Sequence, residues 1–367
     1  MTLYPNLILD ALRNVRYPAS GKDIVSAGMV EDDIRIDGNK VSFSLIFDKP
    51  TDPFIKSLVK AAEAAVLTYV SPDVDIKGNI AVKTRIPAPQ PAVKPLAEVK
   101  NIIGISSGKG GVGKSTVAAN LAVALAREGY KVGLLDADIF GPSMPKMFGI
   151  EDEQLYLRES EGRNLIIPIE RYGVKILSIG FLVDKDKAVM WRGSMASNAL
   201  KQLIAEADWG ELDYFLIDMP PGTSDIHLTL VQTLAMTGIV VVTTPQEVAL
   251  ADARKGIAMF MDEKINVPIL GLVENMAYFT PAPHPDERYY IFGREGGVRL
   301  AEKLGVKLLA QIPLVAGIAE SGDAGEPIAL ADSVTGMAFT HLAHEVADAV
   351  DTRNSTLPPT HKVELKH

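Results

Sequence analysis

From Val99 onward, short apolar runs alternate with stretches in which apolar residues recur at helical spacing. Asn101–Ile105, Lys131–Leu135, Val174–Ile179, Tyr214–Ile217, Ile239–Val242, Ile269–Val273 and Val306–Leu309 read as strands. Ser115–Tyr130, Ala196–Ala207, Leu250–Met261 and Val298–Leu304 read as helices between them. These strands are apolar throughout instead of alternating, so both sheet faces must be covered. That predicts a mostly parallel, doubly wound α/β sheet. Ligands in such sheets bind outside the carboxyl ends of the strands, so the loops that follow the strands are where chemistry is expected.

The first 85 residues carry a different pattern and predict a small α/β domain. Leu7, Ile8, Ala11 and Leu12 mark a short helix. Ile34–Asp37 and Val41–Leu45 alternate like strands around a Gly38-Asn39 turn. Asp52-Pro53 is expected to cap and open a helix running to about Tyr69, with a last strand over Val74–Val82. Residues 86–98 are proline-rich and read as a semi-stiff linker. The main domain is expected over residues 99–352, with a flexible tail over 353–367.

Composition changes this picture little, except in one respect. The 367 residues are 47% hydrophobic and 23% charged, an ordinary globular balance. The net charge of −9 disfavours a general nucleic-acid-coating role. No apolar run approaches the ~20 residues that span a bilayer. The amino terminus lacks the basic and apolar regions of a secretory signal, so the expected compartment is the cytoplasm, without stable membrane insertion. There are no cysteines, hence no disulfide and no thiolate ligand within the chain.

The run Gly108-Lys109-Gly110-Gly111-Val112-Gly113-Lys114-Ser115-Thr116 joins the first main-domain strand to its helix. A phosphate-binding P-loop needs that setting: glycines let consecutive N–H groups curl round a phosphate, and the helix amino terminus adds its positive dipole end. Lys114 is placed to reach the β- and γ-phosphates of a nucleoside triphosphate, and the Ser115 hydroxyl to hold Mg²⁺. Two later loops add acidic groups. Asp218, after an apolar strand and before Met219-Pro220-Pro221-Gly222-Thr223, has the Walker-B setting for Mg²⁺ bound through water. Gly222 is free to swing an N–H towards a γ-phosphate. In Asp136-Ala137-Asp138, Asp138 is the candidate to orient the attacking water, with Asp136 supporting Mg²⁺ or the loop; either aspartate also suits a turn cap.

With these loops in order, the chain from about Val99 to Leu330 resembles the Mrp-type iron–sulfur cluster carrier ATPases. The likeness runs through Leu134–Ser143, Trp191-Arg192-Gly193, Asp218–Thr223, Thr244–Asp252, Glu274-Asn275-Met276, Ile291-Phe292-Gly293 and Ile312-Pro313-Leu314. The first domain looks like the small iron–sulfur assembly domain fused ahead of such ATPases. Lys109, just after the first glycine, resembles the signature lysine of the deviant P-loop class that includes the MinD and ParA positioning ATPases. The resemblance implies an ATP-hydrolysing homodimer in which Lys109 reaches the partner's nucleotide. It also implies iron–sulfur pathway partners, Asn275 at the adenine edge, Pro313 packed on the base, and Trp191-Arg192-Gly193 facing the dimer partner.

The departures bear on the cargo. Ser194 and Ser224 stand where the family usually has proline and glycine. Family members typically carry Cys-x-x-Cys after the Glu-Asn-Met segment, so that a dimer holds one [4Fe–4S] cluster; here Pro281 and His284 occupy those places. A four-thiolate cluster expected from the family is therefore not supported by this sequence. Asp52 likewise stands where the small domain often has a cysteine. His284, Asp286 and Glu287 are the loop's remaining donors, and the loop reads better as a rigid connection or docking surface. The rival reading is a positioning switch of the MinD or ParA kind. It needs a basic amphipathic helix or a basic DNA face, whereas the tail is broken by Pro358-Pro359 and the chain is acidic.

Overall fold

The computed structural model describes residues 3–18, 20–48, 52–84, 96–160, 163–182, 193–281, 284 and 287–363. Residues 86–95 of the expected 86–98 linker, Trp191, Arg192 and Asp286 lie outside these. The chain divides into two compact units, Met1–Ala92 and Val93–His367.

In the first unit, α1 (Pro5–Leu12), β1 (Arg35–Asp37), β2 (Lys40–Phe47), α2 (Ile55–Tyr69) and β3 (Ile80–Thr84) form a three-stranded sheet with two helices. The Gly38-Asn39 turn joins β1 to β2 antiparallel, as the alternation predicts, while β3 pairs with β2 parallel. Phe43, Leu45, Phe47, Ile8, Leu12, Leu58 and Val66 make its core. Two boundaries differ from expectation. Asp52 accepts the Phe54 N–H at 2.8 Å in a tight turn, so α2 starts at Ile55 instead of at Pro53. Among the described residues, Val74–Asn79 pairs with β2 through an isolated bridge from Asp75 to Lys40, and the strand proper begins at Ile80.

In the second unit the order is β4 (Val99–Ser106), α3 (Lys114–Arg127), β5 (Val132–Asp136), α4 (Met144–Met147), β6 (Tyr156–Ser160), β7 (Arg163–Ile167), β8 (Ile169–Arg171), β9 (Val174–Ser178), α5 (Gly193–Ala205) and β10 (Leu212–Asp218). It continues through α6 (Asp225–Thr233), β11 (Gly238–Thr243), α7 (Glu247–Met261), β12 (Ile269–Glu274), α8 (Gly296–Leu304), β13 (Leu308–Gln311), α9 (Ala316–Asp323) and α10 (Val334–Thr356). Eight strands form one sheet in the order β13-β12-β11-β4-β10-β5-β9-β8. Every neighbouring pair is parallel except β8 with β9. The edge strand β8 and the separate β6–β7 hairpin carry too few apolar residues for the sequence pattern to reveal them.

The pleat sorts side chains between two cores. Ile103, Ile105, Leu134, Leu216 and Val240 face α3 and α10, whereas Ile102, Leu135, Phe215, Ile217 and Val241 face α5, α6, α7 and α8. Both faces are thus covered, which is why the strands read as unbroken apolar runs. The last strand begins at Leu308, two residues later than expected, because Val306 N–H closes the α8 terminus onto the Ala301 carbonyl. Of the stretch expected as a flexible tail, residues 353–356 continue α10 and residues 357–363 lie against the main domain. Arg353 donates to the Pro358 carbonyl at 2.6 Å, Thr360 to Ala235, and Val363 N–H to Val231 at 3.0 Å.

Phe339 of α10 is fully buried among α3 and sheet residues. Phe339→Ala is expected to destabilise the native state by ~3–5 kcal/mol. Urea unfolding read by circular dichroism checks this, and a loss below ~1 kcal/mol would contradict the assigned packing.

Candidate functional site

β4 delivers the P-loop at the centre of the sheet, between β10 and β11. The loop enters α3 through Gly113, whose φ of +83° suits glycine; a Cβ there would stand 2.1 Å from Asn275 Nδ2. Gly108 is needed for a different reason, since a Cβ would fall 2.1 Å from the Asp252 carbonyl carbon of α7. Val112 is buried and its carbonyl accepts from Asn275 Nδ2 at 2.8 Å. Asn275, assigned by resemblance to the adenine edge, is thus engaged in bracing the P-loop from the end of β12. Buried Pro313 follows β13 nearby in sequence to Ile312, whose N–H bonds the Glu274 carbonyl. Glu274 itself accepts from Gly297 N–H at 2.6 Å and from Gln311, fixing α8 and β13 around this corner.

Lys114 is the hub. Its ammonium lies 2.6 Å from Asp218 Oδ1, 3.6 Å from Asp138 Oδ2 and 3.3 Å from Ser115 Oγ, and the residue is 6% exposed. The sequence-predicted lysine, serine and both switch aspartates are therefore brought together from three strand ends. Asp218 Oδ2 and Asp138 Oδ1 are both buried without a hydrogen-bond partner. Unsatisfied buried carboxylate oxygens beside a lysine are the donor set that Mg²⁺ and its water would satisfy, so the residues fit the ion. Burial pushes the Asp218 carboxyl above its ordinary range, and the Lys114 ammonium pulls against that.

Asp136 supports the loop. Its oxygens accept from the N–H groups of Asp138, Ser143 and Met144 at 3.0 to 3.2 Å and from the Ser178 hydroxyl at 2.9 Å. Of the two roles open to it from the sequence, this geometry builds the turn that aims Asp138. Burial, and then the Asp218 charge, push the Asp136 carboxyl up to about 7. Gly222 has its N–H on the Ser107 carbonyl at 2.8 Å, and the Ser107 hydroxyl donates to the Lys109 carbonyl at 2.9 Å. The two loops on either side of the phosphate position are thereby tied to each other. Lys109 is half-buried, and among the described residues its ammonium makes no ion pair. Gly110 and Gly111 complete the loop, and the Thr116 carbonyl accepts from Asn120 Nδ2 at 2.9 Å.

One residue was not singled out from the sequence. His227, in the first turn of α6, is wholly buried behind the Asp218–Ser224 loop. Its Nδ1 accepts the Ser224 N–H at 3.1 Å, closing a capping box. Burial first, with the Lys114 charge adding, pushes its pKa down to about 4. The one available signal was its position three residues after Ser224, where a capping-box partner falls.

A buried lysine held by two carboxylates at the mouth of a glycine loop, on the central strand of a parallel sheet, defines a P-loop NTPase. The comparisons narrow the class. A family model described as the NUBPL iron-transfer P-loop NTPase matches residues 98–348, and one described as an iron–sulfur cluster assembly protein matches residues 6–77. The iron–sulfur cluster carrier protein of Synechocystis is 44% identical over 354 residues, covering 95% of this chain and 98% of the relative. The mitochondrial iron–sulfur protein required for NADH dehydrogenase of Arabidopsis thaliana is 46% identical over 271 residues, covering 73% and 84%. A solved nucleotide-binding protein from Archaeoglobus fulgidus, in complex with ADP, superposes with a TM-score of 0.55 at 39% identity, covering 63% of this chain and 88% of that one. The chain belongs to the NUBPL iron-transfer P-loop NTPase family, and it is an ATP hydrolase.

The depressed His227 pKa predicts a pH dependence. An unfolded chain protonates this ring near 6.5, and the native state only near 4, so the unfolded state takes the proton first. The stability tied to neutral His227 is present above about pH 6.5 and lost as pH falls towards 4. His227→Gln is expected to lack this component, roughly 2–3 kcal/mol of acid destabilisation between pH 7 and 4.5. Urea titrations of both proteins at the two pH values measure it, and equal losses in both would refute the assignment.

Proposed function

We propose that this chain is an ATP-driven dimeric switch serving iron–sulfur cluster assembly in the cytoplasm, with nucleotide chemistry intact and cluster ligation supplied by other proteins. The observation that carries the first half is the Lys114 hub: its ammonium sits where phosphates would replace Asp218 and Asp138 as partners. Lys114 then clamps the β- and γ-phosphates, Asp138 orients the attacking water, and the P-loop amides from Gly108 to Thr116 cradle the phosphate chain. Ser115 and Asp218 would hold Mg²⁺, which supplies neutralisation of the phosphate charge. Asn275 and Pro313 are assigned to the base end.

Dimerisation is supported by exposed apolar side chains in segments that follow the strands' carboxyl ends, Phe140 after β5, Val248 in the first turn of α7 and Ile291 before α8. Phe140 is 85% exposed, Val248 58% and Ile291 60%. Lys109 is assigned to the partner's nucleotide. No helix among the described residues is long and apolar enough to cross a membrane. The relatives named as iron–sulfur carriers supply the pathway reading, and the cluster enters it as cargo. This chain has no thiolate to hold that cargo, so the proposal assigns the cysteines to a partner.

Lys114→Ala is expected to abolish ATP hydrolysis, and Asp138→Ala to slow it about 10²-fold while leaving nucleotide binding within a few-fold. Phosphate release and equilibrium dialysis with ATP measure the two effects; hydrolysis by Lys114→Ala at the parental rate would remove the P-loop assignment.

The cargo loop offers a gain-of-function test. His284 N–H donates to the Pro281 carbonyl at 3.0 Å, and Phe279 pairs with Tyr289 in an isolated antiparallel bridge. The parent, purified anaerobically with iron and sulfide supplied, is expected to carry no stable [4Fe–4S] cluster. Pro281→Cys with His284→Cys restores the paired-thiol spacing and is expected to bind one cluster per dimer, read as iron and sulfide stoichiometry and absorption near ~400 nm. A colourless double variant would mean that this turn does not keep cluster-binding geometry; a coloured parent would mean ligands from outside the chain.

A further inference from the structure

We propose that His227 is a positioning residue for ATP hydrolysis, acting through the loop Asp218–Ser224 by offering its Nε2–H to that loop when Gly222 turns towards nucleotide. The imidazole is committed on one side only. Nδ1 accepts the Ser224 N–H at 3.1 Å, with the Ser224 hydroxyl at 3.2 Å, so the ring's proton belongs on Nε2. Nε2 is buried and has no hydrogen-bond partner. A buried N–H left in this condition needs a use, since leaving it unsatisfied costs about 1–3 kcal/mol. Phe260 packs beside the ring with centroids 6.0 Å apart, and the residue has no exposed surface, which limits any escape towards solvent.

The surroundings indicate what that use is. The Pro220 carbonyl faces the imidazole from the loop as a hydrogen-bonding group, too poorly placed to complete a bond to Nε2, and the Lys114 and Asp138 charges reach the ring from the phosphate site. Between Pro220 and Ser224 lies Gly222, at φ +81°, whose N–H is held by the Ser107 carbonyl at 2.8 Å. Turning that N–H to a γ-phosphate breaks the bond and rotates the peptide groups beside it. A ring anchored at Ser224 with a spare donor behind the Pro220 end can receive the displaced carbonyl. It would hold the loop in its rotated form while Asp218 and Asp138 act.

Capping alone is the simpler role, and it is separable. Glutamine at the third helical position caps a serine-led helix well. It can accept the Ser224 N–H, but it puts no ring N–H where Nε2 lies. In the full chain, His227→Gln is therefore expected to keep the parental melting temperature at pH 7.5. Its kcat should fall roughly tenfold, with KM for ATP changed less than about twofold. His227→Leu should show the same kcat loss together with a lower melting temperature. A glutamine variant with parental kcat, or a kcat loss that tracks KM and melting temperature together, would overturn the proposal.

A measurement on the parent needs no variant. The His227 ring is expected not to titrate between pH 5.5 and 8. In ¹⁵N-histidine spectra its Nε2–H proton should move downfield when Mg²⁺ and a non-hydrolysable ATP analogue are added. An unmoved resonance, with the analogue shown bound by dialysis, sinks the idea. The proposal rests on ATP turnover at Lys114. Parental turnover is measured alongside, because its absence would remove the proposed function while the spectrum still reported on the loop.

Discussion

The second domain is organised around a cation that water cannot reach. An ammonium taken out of solvent is tolerated only with close, well-placed counter-charges. Lys114 has them from two directions, Asp218 at 2.6 Å and Asp138 at 3.6 Å. Those two carboxylates come from β10 and from the loop after β5, while Lys114 itself starts the helix after β4. The strand order places β10 directly between β4 and β5, so the three groups converge only because the sheet crosses over there. Mispairing at that point would strand a buried charge.

The same constraint explains why the neighbouring groups are so fully occupied. A hub of one lysine and two carboxyl groups is useful only if the loops that bear them cannot relax. Asp136 takes four donors to shape the turn before Met144, Ser107 joins the P-loop to Gly222, and Asn275 braces Val112 from β12. The oxygens that remain free, Asp138 Oδ1 and Asp218 Oδ2, lie on the charged side of this frame. A site with its supports saturated and its working atoms unsatisfied is preorganised for charge that has yet to arrive.

Much of this was readable from residues alone, and the reason is local. The P-loop glycines, the lysine and the aspartates that end apolar strands each carry their meaning within a few positions of chain. The unbroken apolar strands announced a sheet covered on both faces, without knowing that Ile102 and Ile103, or Phe215 and Leu216, face opposite cores. What escaped the sequence depends on distant partners. The edge strand β8 has only β9 to define it. The seating of residues 357–363 depends on Arg353, Ala235 and Val231. Asn275 shows its bracing role only when Val112 is beside it, 163 positions away. His227 looked like any histidine until its burial behind the Asp218 loop was visible.

The missing thiolates separate two properties that family membership usually joins. Nothing in the nucleotide site refers to cysteine: phosphate binding, charge pairing and loop switching use glycine, lysine, aspartate and backbone groups. The cargo loop is a different matter, because proline has no donor atom and a lone imidazole cannot replace paired sulfur ligands. Among the described residues there, His284 N–H donates to the Pro281 carbonyl, and the Arg288 guanidinium lies 4.3 Å from the centre of the Tyr278 ring. Neither contact offers a sulfur ligand. Under the proposed function, ATP turnover therefore governs an encounter with a thiol-bearing partner and not a coordination sphere of this chain.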